Sequence, residues 1–301
     1  MSARKHSRQG AFPPAPEPLP VRVLDSHTHI DITLDQNLGG DLGGDLGGDL
    51  DGDTAGGPAT IEDAIARAAA AGVDRLVQVG VDVESSRWGV EAAQRHPAVL
   101  ATVALHPNDA PRLADLDEAL REIERLAAHP RVRGIGETGL DYFRTGDEGR
   151  KAQHESFRAH IAIAKRHGKA LVIHDRDAHD DILAVIDEEG APDQVVMHCF
   201  SGDEDFARAC LARGFLLSFA GTVTFGNAAH LRRAAAITPL EAILVETDAP
   251  FLTPAPFRGR PNASYLIPLT VRALAEVTGH DLDALCAAIS ANGERAFGSW
   301  T

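Results

Sequence analysis

With 301 residues, 44% of them hydrophobic, the chain can bury one large core, and its length fits either two domains or a single α/β barrel. Its formal net charge of -15 at pH 7 argues against binding of nucleic acid or membranes by the whole surface, although it leaves room for a local cationic site. The 3 cysteines lack paired spacing, and no stretch resembles a membrane span or a signal peptide, so we expect a cytoplasmic protein with no disulfide framework and no membrane partner.

The first part of the chain differs in composition from the rest. Residues 1–20 combine basic residues with a proline-rich run, which predicts a mobile N-terminal arm. We place the main domain at residues 21–301, and it begins with the apolar, strand-like sequence VRVLDSHTHID. Residues 36–57 interrupt this domain with GGDL repeated three times, and their glycine content makes folding entropically costly. We therefore predict a disordered, Gly/Asp-rich insertion there.

From residue 60 onward, helix-like and strand-like runs alternate. Helices are predicted at residues 61–72, 84–96, 115–128, 148–167, 179–189, 204–213, 227–236, 264–279 and 282–298. After the first strand, further strands are predicted at residues 74–81, 99–107, 132–141, 170–177, 195–202, 214–221 and 242–251. Eight strands alternating with helices predict a single-domain α/β protein, a (β/α)8 TIM barrel. A doubly wound open sheet is the alternative, but no G-x-G-x-x-G turn follows the first strand.

Potential metal ligands end several of the predicted strands. Residues two apart in a strand face the same side, so His27 and His29 project together, and Asp25 is placed to orient one of their imidazoles. The ligand candidates that end later strands are Glu137, His174, His198 and Asp248. Because the C-terminal strand ends of a TIM barrel meet at one face, we expect these side chains to converge.

Four imidazoles and two carboxylates exceed the ligands that one closed zinc site needs. Mixed nitrogen and oxygen donors suit Mg²⁺, Mn²⁺ or Zn²⁺, and a carboxylate can bridge two ions. We infer a site for two divalent metal ions, whose identity the sequence leaves open. Such a site activates a water and polarises a phosphoryl or carbonyl oxygen, so hydrolysis is its natural chemistry.

Six motifs occur in order between Asp25 and Asn262: DSHTHID, ALHP, GETGLDYFR, HDRDA, HCFSG and ETDAPFLTPAPFRGRPN. Together they resemble the signature of the TatD family of metal-dependent deoxyribonucleases, a TIM-barrel branch of the metal-dependent hydrolases. The resemblance implies that one ion is held by His27, His29 and Asp248. It implies that His174 and His198 hold the other ion and that Glu137 bridges the two.

The resemblance also implies two catalytic roles. Asp248 would orient or deprotonate the attacking water, and Glu137 would bridge the two metal ions. The chain departs from the family pattern in the GGDL insertion and at Ala263, where an acidic residue usually follows the motif asparagine. Both departures concern substrate access and contact rather than the ligand set.

Cationic side chains near the same strand ends are candidates for substrate phosphate contacts. These candidates are His106, Arg176, Arg258 and Arg260. Guanidinium groups grip phosphate oxygens in bidentate fashion, and cations at one mouth of an acidic protein favour entry of an anionic backbone. The alternatives are a structural role for His106 before Pro107 and an ion pair between Arg176 and a neighbouring acid. We assign most other histidines, including His160 and His230, to solvated helix faces.

The resemblance implies hydrolysis of phosphodiester bonds in DNA, by an exonucleolytic enzyme that uses a metal-activated water. A two-metal hydrolase of a carbonyl substrate, such as a D-aminoacyl-tRNA ester, is the alternative. Many amidohydrolase barrels bridge their metals with a carboxylated lysine after strand 4, whereas this chain has Glu137 there, which favours the nuclease branch. A catalytically silent scaffold is a third reading, supported only by the missing acidic residue at position 263. No protein partner can be inferred.

Overall fold

The computed structural model describes residues 11–38 and 56–300, in which eight strands form one parallel sheet in the order β1 to β8. The strands are β1 (Val23–Thr28), β2 (Val73–Val79), β3 (Val99–Val103), β4 (Val132–Asp141), β5 (Ala170–Arg176), β6 (Val195–Met197), β7 (Leu216–Phe219) and β8 (Ile243–Val245). A parallel bridge between Thr28 and Ala249 brings β1 beside the segment that follows β8. The predicted TIM barrel is therefore confirmed.

Helices follow the strands around the outside of the barrel. They are α1 (Ile30–Leu38), α2 (Ile61–Ala70), α3 (Val83–Arg95), α4 (Leu116–Ala127), α5 (Asp147–His167), α6 (His179–Glu189), α7 (Glu204–Ala212), α8 (Ala229–Ile237), α9 (Ile267–Thr278) and α10 (Leu282–Phe297). Every residue of β1, β3 and β7 is buried. Strands covered on both faces are usually near-continuously apolar, as β3 is, whereas the last four residues of β1 are polar and lead to the centre described below. No helix in the described part of the chain combines the length and apolar character needed to cross a membrane.

Helix α1 was not predicted, because its sequence lacks a strong helical pattern. Its start is fixed instead by Gln78 of β2, whose side chain accepts a hydrogen bond from Ile30 N at 2.7 Å and donates one to Asp31 Oδ1 at 2.9 Å. Tertiary contacts of this kind stabilise helices that propensity alone does not. The helix includes the first three residues of the predicted insertion, and residues 39–55 of that insertion lie outside the described residues.

The N-terminal segment differs from the predicted mobile arm over residues 11–20. Phe12 and Leu19 are buried, and Tyr265 donates a hydrogen bond from its hydroxyl to the carbonyl of Pro13. Arg260 donates from Nε to Ala11 O at 2.8 Å and from Nη2 to Phe12 O at 2.9 Å. The prolines already restrict this segment in the unfolded chain, so its docking loses little entropy while it buries apolar side chains. Residues 1–10 lie outside the described residues.

His160 is buried inside the protein, so its assignment to a solvated helix face was wrong. It lies on α5, is 0% exposed, and its Nε2 accepts a hydrogen bond from Leu105 N at 3.0 Å. Its Nδ1 donates to Ser156 O at 2.6 Å, so both ring nitrogens are satisfied in the neutral tautomer. The imidazole thereby ties α5 to the chain directly before His106. Helical periodicity placed His160 correctly on α5 but did not show which face of α5 packs inward.

We expect His160→Gln to reduce the dependence of stability on pH between about 4 and 6.5. Burial lowers the pKa of His160 from 6.5 to about 4, so in this window the unfolded chain binds the proton and the folded chain does not. The contribution of His160 is complete above pH 6.5 and is lost as pH falls towards 4, by at most about 3 kcal/mol.

Urea denaturation of the wild type, His160→Gln and the exposed control His230→Gln across this range tests the expectation. His230→Gln should retain the wild-type slope of unfolding free energy against pH. An equal slope in all three proteins would show that His160 does not titrate on unfolding.

Candidate metal centre

The predicted metal ligands converge at the C-terminal end of the barrel. Within the described residues, ligand atoms lie within 4.8 Å of one another in three overlapping groups. The groups are His27, His29 and Asp248; His27, Glu137 and His198; and His106, Glu137 and His174. The structure therefore brings together all six side chains proposed as ligands, and it adds His106 to them.

Glu137 lies at the centre of this cluster. Its side chain, at the middle of β4, is 6% exposed, and its Oε2 faces His27 Nε2 at 3.4 Å. Its Oε1 faces three further imidazoles: His174 Nδ1 at 2.6 Å, His198 Nε2 at 3.2 Å and His106 Nε2 at 3.5 Å. The two carboxylate oxygens thus point at different groups of imidazoles, as a carboxylate between two cations requires.

Three of the imidazoles have a carboxylate or carbonyl oxygen beside one ring nitrogen and present the other nitrogen to the centre. His29 donates from Nδ1 to Val79 O at 3.3 Å, and its Nε2 lies 3.5 Å from Asp248 Oδ1. Nδ1 of His198 lies 2.8 Å from Glu246 Oε1, so its Nε2 faces Glu137. Nε2 of His174 lies 3.2 Å from Asp141 Oδ2, so its Nδ1 faces Glu137. A carboxylate or carbonyl behind the ring is the usual arrangement for a metal-binding histidine.

His27 gives the clearest indication that a cation belongs here. Its side chain is 0% exposed, and neither ring nitrogen has a hydrogen-bond partner among the described residues. Its Nε2 is aimed between Glu137 Oε2 at 3.4 Å and Asp248 Oδ1 at 3.8 Å. A buried polar nitrogen without a partner is costly, and coordination of a metal ion would remove that cost. The nitrogen and oxygen donors of the cluster fit a divalent ion of the Mg²⁺, Mn²⁺ or Zn²⁺ type.

Asp248 lies on a tightly constrained turn beyond β8. It adopts a left-handed backbone conformation with φ of 50°, and its N–H donates to His27 O at 2.9 Å. Asn262 holds the turn from outside, because its Nδ2 donates to Thr247 O at 3.0 Å and to Phe251 O at 2.6 Å. Such strain persists only where surrounding contacts enforce it, so these hydrogen bonds fix the carboxylate of Asp248 beside His29.

Asp25 hydrogen-bonds to Thr247 in the same turn instead of to an imidazole, so its predicted role in orienting an imidazole was wrong. Its Oδ1 accepts from Thr247 N at 3.0 Å and its Oδ2 accepts from Thr247 Oγ1 at 2.5 Å. Burial raises the pKa of Asp25 to about 7, and the hydrogen bonds from Thr247 oppose that rise. Asp25 therefore links β1 to the chain beyond β8 through the N–H and the hydroxyl of Thr247 rather than through a ring nitrogen.

The charges of the cluster balance one another through protons on its imidazoles. Burial opposes charge on His174, but hydrogen bonds to Asp141 and Glu137 outweigh it and raise the pKa of His174 to about 9. Burial likewise opposes charge on His198, yet Glu246 and Glu137 raise its pKa well above 6.5. The pKa of Glu137 is lowered well below its usual range despite burial, because His198 and His106 lie beside it. A bound divalent ion would take over the balancing charge and release these protons.

Sequence reasoning missed Glu246, whose side chain is 0% exposed and whose Oε1 lies 2.8 Å from Nδ1 of His198. Its signal was its place in VETDAP, two residues before Asp248 at the end of β8. Asp141, the last residue of β4, lies against His174 in the same way, with its Oδ2 3.2 Å from Nε2 of that ring. Its Oδ2 also accepts from Asn108 Nδ2 at 2.8 Å.

The predicted phosphate-contacting residues divide into two groups. The guanidinium of Arg176 stacks over the ring of Phe143, 4.1 Å from its centroid, and it forms no ion pair among the described residues. Arg258 stacks over Phe225 at 4.4 Å and is also without an ion pair in the described chain. Arg260 was predicted to join them, but its guanidinium is used to hold the carbonyls of residues 11 and 12.

His106 faces the centre as a hydrogen-bond donor. Its Nδ1 accepts from Asn108 N at 3.1 Å, so in the neutral ring the proton is on Nε2. That Nε2–H points at Glu137 Oε1 at 3.5 Å. A nitrogen that carries its proton binds an anion rather than a metal ion, so this geometry fits a phosphate contact better than a seventh metal ligand.

Comparison with known proteins identifies close relatives. The family model described as TatD related DNase matches residues 24–298. A Mycobacterium tuberculosis protein named uncharacterized metal-dependent hydrolase TatD is 45% identical over 280 residues, covering 92% of this chain and 98% of its own. A Citrobacter rodentium protein named 3'-5' ssDNA/RNA exonuclease TatD is 35% identical over 245 residues, covering 79% of this chain and 91% of its own. The crystal structure of the TatD homolog YJJV from Escherichia coli K12 superposes with a TM-score of 0.75 at 26% identity, covering 79% of this chain and 92% of that one.

We expect Glu246→Gln to weaken divalent-metal binding by about 10- to 100-fold, the usual effect of removing a carboxylate behind a metal-binding histidine. The substitution keeps the shape of the side chain but removes the negative charge that lies 2.8 Å from Nδ1 of His198. Competition with a chromogenic chelator, using Mn²⁺ or Zn²⁺, measures the affinity. Glu241→Gln, the same change at an exposed position before β8, is the control and should bind metal as the wild type does. Equal affinities in all three proteins would exclude a role for Glu246 in the centre.

Proposed function

Because the chain belongs to the TatD related DNase family and is thus a metal-dependent hydrolase, we propose that it is an exonuclease that hydrolyses phosphodiester bonds of single-stranded DNA. The relative named as a single-stranded DNA and RNA exonuclease supports this choice of substrate. The observation that carries the proposal lies at the C-terminal ends of β4 and β5, where the guanidinium of Arg176 stacks on the exposed ring of Phe143 and forms no ion pair with a described residue.

Two divalent ions fit the side chains of the centre in this proposal. His27, His29 and Asp248, which form one group in the structure, would hold one ion. His174 and His198, which both face Oε1 of Glu137, would hold the other, and Glu137 would lie between them. Bound ions supply Lewis-acid polarisation of a phosphoryl oxygen and a lowered pKa for the attacking water. The pKa of Asp248 is lowered in spite of burial, chiefly by its hydrogen bond with His29, so its carboxylate is ionised at neutral pH. An ionised Asp248 can orient the attacking water and accept its proton.

The rim beside the centre suits a single nucleic-acid strand. Phe143 follows β4 and is 63% exposed, which is unusual for a large apolar side chain. An exposed ring is a stacking platform for a base, and the guanidinium of Arg176 above it can reach a phosphate. In a duplex both faces of an internal base are covered by neighbouring base pairs, so a ring on the protein can stack on such a base only in a single strand.

His106 completes the proposed phosphate contacts. Its Nε2–H faces the space beside Glu137, where a scissile phosphate would have to lie. An N–H donor in this position stabilises charge that develops on a phosphoryl oxygen during hydrolysis. The same centre would also act on a carbonyl ester, which is why the test includes a D-aminoacyl-tRNA.

The reaction is tested by incubating the purified chain with end-labelled single-stranded DNA, RNA and a D-aminoacyl-tRNA, each with Mg²⁺, Mn²⁺, Zn²⁺ or chelator. We expect stepwise release of mononucleotides from single-stranded DNA that depends on added metal. Asp248→Asn should fold and bind DNA but lower kcat by at least about 100-fold, as loss of a general base does. Release of the D-amino acid without DNA cleavage would instead identify the carbonyl hydrolase.

The stacking platform is tested by Phe143→Ala. We expect KM for single-stranded DNA to rise about 5- to 150-fold, since stacking contributes about 1–3 kcal/mol per base. An oligonucleotide that is abasic at its terminal positions keeps the backbone but removes the stacking partner, so its KM should hardly change in the variant. Arg121→Ala, an exposed arginine on α4, serves as the control variant. If the intact and abasic substrates are affected equally, Phe143 supports the fold of the rim rather than a base.

A further inference from the structure

A second cavity lies at the opposite end of the barrel from the candidate metal centre. It has a volume of about 560 Å³, within the range of small-molecule sites. Its lining comes from the N-terminal ends of neighbouring strands, with Arg133 at the start of β4, Lys169 directly before β5 and Gln194 directly before β6. The last turn of α10 and Gly298 close one side. The N-terminal face of a TIM barrel ordinarily serves stability, so a polar cavity there calls for a separate explanation.

The lining of this cavity carries four cationic side chains and one acidic side chain. The cations are Arg133, Lys165, Lys169 and Arg295, and the acid is the exposed Asp193. Such an excess of positive charge at one place contrasts with a chain whose net charge is -15. The excess is therefore local: the chain as a whole has more acidic than basic residues, but Asp193 is the one acid that lines this cavity.

None of these four cations forms an ion pair with a described residue, but they differ in how their side chains are held. Lys165 donates from Nζ to Glu189 O at 2.7 Å, and Arg295 donates to Glu241 O, so both are tied to the backbone. The side chains of Arg133 and Lys169, by contrast, have no such backbone contact within the described residues, and Nε of Arg133 is buried without a hydrogen-bond acceptor. The two partly buried cations also oppose one another: burial lowers the pKa of Lys169, and the charge of Arg133 lowers it further.

The backbone leaves room for this arrangement. A Cβ on Gly298 would lie 3.2 Å from Nη1 of Arg133, closer than most side-chain contacts, and Gly298 has a φ of 74°. Glycine adopts that conformation without a steric penalty, and here it also leaves the guanidinium unobstructed. The cavity thus holds Arg133 at its wall, with Nε buried and no ion pair to a described residue.

We propose that this cavity is a binding site for a small phosphorylated anion, distinct from the metal centre and independent of the proposed nuclease activity. A multiply charged phosphate offsets several cations at once, whereas a single carboxylate offsets one. Guanidinium and ammonium groups together form the usual phosphate-binding set. The volume exceeds what a bare phosphate needs, so the cavity has space for the organic part of a phosphate monoester.

Isothermal titration calorimetry of the full chain, metal-loaded and chelated, with inorganic phosphate or dTMP at constant ionic strength tests the site. We expect binding in both metal states, and we expect Arg133→Gln/Lys169→Gln to weaken it at least tenfold, which is about 1.4 kcal/mol. Arg121→Gln/Arg233→Gln removes the same charge at exposed helix positions and should bind as the wild type does. Tighter binding of dTMP than of phosphate identifies a monoester as the occupant, and equal binding identifies the free ion.

Thermal unfolding gives a second readout that does not depend on detecting heat. Without phosphate, the double variant should melt at or above the wild-type temperature, because the repulsion between the two cations is gone. Added phosphate should raise the Tm of the wild type and of the control pair but not that of the double variant. Loss of stability in the double variant without phosphate, or undiminished phosphate binding by it, would overturn the proposal, since the cations would then serve the fold or the anion would bind elsewhere.

Discussion

The buried carboxylate of Glu137 is the interaction around which the site is built. A charge in this position must be compensated, and four imidazoles supply the compensation, three of them within 3.5 Å of Oε1 and one within 3.5 Å of Oε2. These imidazoles come from His27, His106, His174 and His198, each from a different strand end. The barrel must therefore be closed and in register before the carboxylate is satisfied, which links the fold directly to the chemistry of the centre.

A shell of further polar contacts keeps the imidazoles in place. Asp141 and the carbonyl of Val79 each hydrogen-bond the far nitrogen of one ring, and the carboxylate of Glu246 lies 2.8 Å from the far nitrogen of His198. Asp25 and Asn262 act one step further out, because both hold the turn that carries Asp248. These residues contribute no donor to the centre, but they determine which nitrogen of each ring is free and where the second carboxylate lies.

The two ends of the barrel differ in the sign of the charge that they are suited to bind. At the C-terminal end, acids and imidazoles compensate one another within a few ångströms, so the centre is prepared for cations. At the N-terminal end, Arg133 and Lys169 lie together without an acidic partner in the described chain, so that cavity is prepared for an anion. Both ends use loops and strand termini, while the apolar strands between them keep the two sites apart.

The amino-acid sequence by itself determined the order of the elements and the identity of the metal-ligand candidates. Hydrophobic periodicity is a local property, so it placed β4 at residues 132–141 and α6 at residues 179–189 with the observed bounds. Ligand candidates were also recognisable locally, because polar residues such as His174 and Glu137 interrupt apolar strands.

Only the tertiary structure decided the features that depend on contacts between distant residues. It showed that α1 starts at the side chain of Gln78, that residues 11–20 dock on the barrel and that His160 is buried. It also separated Arg176, which forms no ion pair with a described residue, from Arg260, which holds the N-terminal segment. A sequence records which residues are charged, but the partner of each charge is set by packing across the barrel, which local patterns do not encode.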